Sequence, residues 1–425
     1  MLFRSGVSRT RGVYVQSSSA EGGNASVGSL SMNNVLLSLH QYGVLVDNDM
    51  VCDHLSMYNS RIANCGNGFH VLHKGTATDV SIVSVIVEGC QYGISSNAQN
   101  GGFANAGSFT GVIQTCNVRE NALKGLYFEK LDHARIEGLD IRDNGVNGTA
   151  ANATDGLQLN LKFGAYDSIT ILNNVFLRNG QNRPNDGAAL AVAARDDGNY
   201  AANPASLTNV RIHGNSISGS PIGIAISNKV SINGPYGDND AATIGGAAWP
   251  NPVPVIGTAV AGGAITDCSV GIVLSQITGS GGTLALRTYD FPVRFESGVG
   301  IAIANYASNV TVDATEARFT IGNAQAFGRD LTVAQGFNVA DKVVDSIDAS
   351  VLGRVVLTAN RVYVTANSHS QLLGSNATGI LGRGVAAAQA GNVVHVQDGV
   401  PLVLDRKSTR LNSSHEWISR MPSSA

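Results

Sequence analysis

The chain has 425 residues, of which 14% are charged, and its net charge is −3. That balance leaves no basic footprint for nucleic acid, and no apolar run approaches membrane-spanning length. Hydrophobic residues at 43% supply a continuous core and exclude a disordered chain.

The start, Met1-Leu2-Phe3-Arg4-Ser5, lacks the apolar region of a signal peptide. A repeat is already under way at Gly12, with no cap before it, so the chain is expected to be truncated at its N-terminus. The repeat is a glycine followed by apolar-x-apolar. It recurs at Gly12, Gly43, Gly68, Gly93, Gly125, Gly156, Gly187, Gly223, Gly271 and Gly300, in steps of 31, 25, 25, 32, 31, 31, 36, 48 and 29 residues. Periods of this size mean stacked units. The residue after each glycine is Val13, Val44, Phe69, Ile94, Leu126, Leu157, Ala188, Ile224, Ile272 or Ile301. Apolar residues at a spacing of two mark a half-buried strand. The glycine ahead of it allows a corner, through positive φ or a close backbone approach.

Small or polar residues stand three before the gates: Cys65, Cys90, Ala122, Ser220, Cys268 and Ser297. Cys65 and Cys90 hold the same place in successive units and are expected to stack as buried thiols. Five cysteines, an odd count, do not read as a disulfide framework. A second strand leads into each corner, as at Val85–Val87, Leu139–Ile141, Ile169–Ile171 and Val210–Ile212. No helical period stands out. Two or three short strands per unit, repeated about ten or more times, predict an all-β right-handed parallel β-helix over residues 1–304.

Turn-rich insertions interrupt it at Ala98–Gly107, Asn144–Asp155, Asn179–Asp186, Arg195–Ala205 and Ser231–Gly257. Residues 305–405 read as further coils or a less regular β-rich cap. Residues 406–425 turn basic and Ser-rich, lose the strand pattern, and read as a non-native tail that packs against nothing.

The gate repeat, with Asn and Gly at its corners (Asn64, Asn121, Asn173-Asn174, Gly214-Asn215), resembles the pectin-lyase-like superfamily over residues 12 to about 303. The resemblance implies a polysaccharide lyase, a glycoside hydrolase, a phage tailspike or a glycan-binding adhesin. It also implies an extracellular or virion-surface setting, and a homotrimer if tailspike-like. The polygalacturonase motifs and the Asp-Pro-His of alginate epimerases are absent. Fold alone does not choose among these functions.

Aligning units by their gates turns sequence into rows, with neighbours roughly 4.8 Å apart. The residue before each gate gives Tyr42, Asn67, Tyr92, Lys124, Asp155 and Asp186. Asp155 and Asp186, with Lys124 beside them, are the candidate catalytic group. Two close carboxylates hold different protonation states, as glycosidic cleavage needs. Asp-Gly as plain turn chemistry is the competing reading. The flanking rows His70, Ser95, Tyr127, Gln158 and Asn97, Glu129, Asn160, with Lys162 beyond, carry sugar-binding residue types. From these rows Tyr92, Tyr127, Glu129, Gln158, Asn160 and Lys162 are the candidate substrate contacts. Asp140, Arg142, Asp143 and Arg178 form a second charged group, read as surface ion pairs or as an Arg-bearing acidic-sugar site. His70 and His73 face opposite sides of a strand, so no metal is expected there. No cofactor is called for, although Asp196, Asp197, Asp238 and Asp240 lie in loops that could hold Ca²⁺.

Overall fold

The computed structural model describes residues 11–16, 25–98, 107–145, 154–230, 242–244, 263–279, 281–286, 293–368 and 380–400. The readings of the loop 231–257, including Asp238 and Asp240, and of the tail 406–425 lie outside the described residues, with the middles of the insertions at 98–107 and 144–155; within that loop Ala242–Ile244 alone is described, as a strand paired with Val210–His213.

Three long sheets carry the described chain. Their strands are parallel apart from the hairpin partner Ala324–Phe327, and in the regular region each strand pairs with the equivalent strand of the next unit. One sheet runs from Arg11–Val15 through Tyr92–Ser96, Lys124–Phe128, Asp155–Leu161 and Ala188–Ala194 to Val343–Val344. This is the gate sheet. The chain then passes to the second sheet, the third, and back. The result is an all-β stack of parallel sheets, with no closed barrel among the described residues.

The gate strands fold as their alternation dictates. Val44, Phe69, Ile94, Leu126, Leu157, Leu190, Ile224, Ile272 and Ile303 are register partners in turn and are buried. At roughly 25 cal/mol per Å² of apolar surface, such a column is the main stabilising term of the fold. The glycines serve close approach. A Cβ on Gly93 would sit 2.4 Å from the carbonyl oxygen of Gly125 in the next strand. None of the gate glycines has positive φ, which falls at other corners such as Asn64 and Asn173.

Two gates are corrected. Asp155 pairs with Ala188 and Leu157 with Leu190, so Ala189, not Gly187, fills the slot of Gly156. Likewise Val270 pairs with Ile301 and Ile272 with Ile303, so Ala302 replaces Gly300. The slot asks for a small residue, and alanine meets that demand in these two units.

Buried asparagines brace the corners below the gates. Asn121 Nδ2 donates to Asn144 Oδ1 at 2.9 Å, and Asn144 Nδ2 donates to Asn179 Oδ1 at 3.0 Å. Cys65 and Cys90 are buried and unbridged, and their thiols donate to the carbonyls of Ala63 and Glu88, each at 3.5 Å. Strands Val310–Asp313 and Arg318–Ile321 still extend the sheets. Two helices then depart from the strand-only expectation, Val333–Ala340 and Ile380–Ala387. The first starts at a capping box of Thr332 and Gln335, a signal present in the sequence. No helix among the described residues is long and apolar enough to cross a membrane.

Candidate functional site

The outward residues of the gate sheet, with the segments just after its strands, line a groove of about 680 Å³. Tyr92 and Lys124 reach it from the row before the gate, being register partners in adjacent strands. Tyr127 and Gln158 are partners in the next outward row. Glu129, Asn160 and Lys162 line it from the ends of their strands.

These side chains bind one another closely. Glu129 Oε1 accepts from the Tyr127 hydroxyl at 2.7 Å and from Lys162 Nζ, while Oε2 accepts from the Ala98 N–H at 2.8 Å. Asn160 Nδ2 donates to the Tyr127 oxygen at 2.9 Å. Lys162 and Glu129 are both largely buried, so removing either would strand a desolvated charge. Burial and the neighbouring Glu129 carboxyl push the Tyr127 hydroxyl well above its usual value. The Tyr92 and Tyr127 rings lie 5.6 Å apart, tilted by 35°.

Lys124 stands at the closed end of its row. Its Nζ donates to Gln158 Oε1 and lies 4.2 Å from the centroid of the Tyr127 ring. Burial lowers its pKa, against the pull of Asp155 and Glu129. Asp155, its partner in the register, does not reach the groove. It is 1% exposed. Its Oδ1 accepts the Ala188 N–H at 3.0 Å, and Oδ2 has no hydrogen-bond partner among the described residues. Burial pushes this carboxyl up to about 6, with Lys124 and the Ala188 N–H opposing.

The expected register of the carboxylate pair is corrected. Asp186 is two residues off the row of Asp155, exposed and ion-paired with Arg183, although its charge still helps to raise the Asp155 carboxyl. The second charged group forms surface ion pairs, Arg142 with Asp140 and Arg178 with Asp143 at 2.7 Å.

Comparison with models of known protein families, with curated proteins and with solved structures gives no match to this chain. What the groove does must be read from its own chemistry.

Two further groups come from the segment after Ala188–Ala194. Arg195 Nε and Nη2 donate to the two carboxylate oxygens of Asp197, the second at 2.8 Å, while Nη1 donates to Asn160 Oδ1 at 3.3 Å and the guanidinium carbon lies 4.8 Å from the centroid of the Tyr200 ring. Lys162 Nζ is 5.0 Å from the same centroid. Leu161 pairs with Ala194, so Arg195 continues the row of Lys162. Once the gate is set at Ala189, both lie six residues past it. The signal was in the sequence, displaced by the slip at Gly187. At the opposite end, His70 Nδ1 is hydrogen-bonded to Ser95 Oγ at 2.7 Å, and its ring lies 5.6 Å from that of Tyr42. Burial, then Lys130 and His73, push His70 down to about 3, so it is a neutral imidazole. The arrangement offers ring faces, amides and cations, the chemistry that meets sugar faces, hydroxyls and carboxylates.

Proposed function

We propose that the chain is a polysaccharide-acting protein of the pectin-lyase-like kind, a right-handed parallel β-helix that binds and cleaves an acidic glycan along this groove. Right-handed crossovers are the strong rule for parallel strands. The observation that carries the reading is the pair of cations Lys162 and Arg195 beside the Tyr200 ring, with the Lys124 amine beside the Tyr127 ring. Such a substrate implies an extracellular or virion-surface setting.

Elimination suits the groove better than hydrolysis. Retaining hydrolysis needs two carboxyl groups roughly 5 Å apart across the bond. Asp186 is off the row, Asp155 is sealed, and both oxygens of Glu129 are engaged. Lys124 in its neutral form is the candidate base, favoured by the burial that lowers its pKa. It takes the proton from the carbon next to the sugar carboxylate. The electron pair becomes a carbon–carbon double bond, the bond to the leaving oxygen breaks, and that oxygen takes a proton from water. Lys162 and Arg195 hold the carboxylate and stabilise the charge that develops on it.

The test is digestion of bacterial capsules and plant uronans, followed by ultraviolet absorbance of the unsaturated product and by reducing ends. Lys124→Met should lose turnover by about 100-fold or more while retaining glycan binding. Reducing ends without new absorbance would overturn elimination. Binding without either product would leave a non-enzymatic adhesin, a reading favoured by how fully Glu129, Tyr127, Asn160 and Arg195 are cross-linked into a fixed surface.

A further inference from the structure

The groove is not uniformly charged along its length. Its basic side chains Lys124, Lys162 and Arg195 sit in the units that begin at strands Lys124–Phe128, Asp155–Leu161 and Ala188–Ala194, and even with Glu129 paired to Lys162 and Asp197 to Arg195 this end carries more basic than acidic groups. The three units before them contribute Tyr42, Asn67, His70, Tyr92, Ser95 and Asn97. His70 is neutral, packed on Tyr42 and bonded to Ser95. His73 is the other titratable lining residue with an imidazole at this end. Lys130 lies behind it and is fully buried. Its Nζ donates to the backbone carbonyls of His73 and Gly75, and burial lowers its pKa to about 7, so it brings little charge to this end of the groove.

We propose that the substrate is a heteroglycan whose anionic sugar lies against the Lys124, Lys162 and Arg195 end while uncharged sugars lie against the Tyr42 to Tyr92 end. This rests on the glycan reading above and narrows it. Adjacent units stand roughly 4.8 Å apart, so the groove follows several consecutive sugars. A homopolymer of uronic acid would bring a carboxylate to every one of them. Those falling on the Tyr42 end would be desolvated with no partner charge, which is unfavourable. Uncharged sugars lose nothing there. They stack on the rings of Tyr42 and Tyr92 and bond to the amides of Asn67 and Asn97. The chain direction of the substrate is fixed by the same asymmetry.

The experiment ranks affinities of the whole protein for a panel of polymers at one salt concentration. The panel holds polygalacturonate, with a carboxylate on every sugar; hyaluronan, chondroitin and acidic bacterial capsules, with carboxylates on some sugars; and dextran, with none. The tightest ligand should come from the middle class and exceed polygalacturonate by about tenfold or more. Asn67→Lys should narrow or reverse that preference, and Tyr42→Ala should weaken the mixed polymers about tenfold, with thermal melting as the check on folding. Tightest binding of polygalacturonate, or of dextran, would overturn this inference and leave the glycan reading standing. Failure of the whole panel to bind would overturn the glycan reading and this inference with it.

Discussion

Asp155→Asn isolates the electrostatics at the closed end of the groove. The wild-type carboxyl is buried and pushed up to about 6, against an ordinary 3.8. A folded-state value above the unfolded one stabilises the fold while the group is protonated. That stabilisation is complete below the unfolded value and is lost as pH rises through about 6. The gap of about two units corresponds to roughly 3 kcal/mol in full, of which about 2 kcal/mol falls between about pH 4 and about pH 7.5. The amide keeps an acceptor for the Ala188 N–H and carries no charge, so the variant lacks this pH-dependent term. Asp345 and Asp348 are also raised by burial, to about 6 and about 7, but they act alike in both proteins and cancel in the difference. Urea unfolding of both proteins across that range should therefore show the variant gaining on the wild type by about 2 kcal/mol as pH rises. Parallel stability curves would refute the placement of a buried, ionisable Asp155. A second readout belongs to Lys124. Asp155 raises its pKa, so with Lys124 as the base the variant should move the acidic, ascending limb of any turnover profile to lower pH.

Two further outcomes test the frame that holds the groove. Gly93→Ala places a Cβ 2.4 Å from the Gly125 carbonyl oxygen, which is backbone and cannot swing aside, and should lower stability by roughly 1–3 kcal/mol in chemical denaturation. Thiol labelling should find five reactive cysteines in the unfolded, non-reduced protein and almost none in the native one, since Cys52, Cys65, Cys90, Cys116 and Cys268 are all buried and free; a count of three after unfolding would mean Cys65 and Cys90 are bridged.

The stacked sheets were legible because their cause is local. Each unit must bring a small residue against the backbone of the next and then alternate inward and outward, and both demands leave marks at fixed spacing, as at Gly93-Ile94 and Gly125-Leu126. The helix Val333–Ala340 was missed because one short helix among many strands makes little periodicity, although Thr332 and Gln335 announce its start. The groove residues Tyr92, Lys124, Tyr127, Glu129, Gln158, Asn160 and Lys162 came together because their gates were correctly placed and rows follow from gates.

The lost carboxylate pair has a different origin. Glycine marks most gates in the sequence, but the slot requires only a small side chain where backbones meet, and Ala189 and Ala302 provide it. The slip at Gly187 is two residues. A slip of one would have turned every apolar side chain of Ala188–Ala194 outward and exposed the error. A slip of two keeps each side chain on its own face, so inward Leu190 and Val192 remain inward under either alignment. Alternation therefore determines faces without determining rows, and a site built from side chains of neighbouring strands depends on rows. The same slip that placed Asp186 beside Asp155 moved Arg195 off the row of Lys162. Correcting it takes Asp186 off the row of Asp155 and puts the Arg195 guanidinium, paired with Asp197, on the row of Lys162, and the proposed recognition of an anionic sugar rests on that second change.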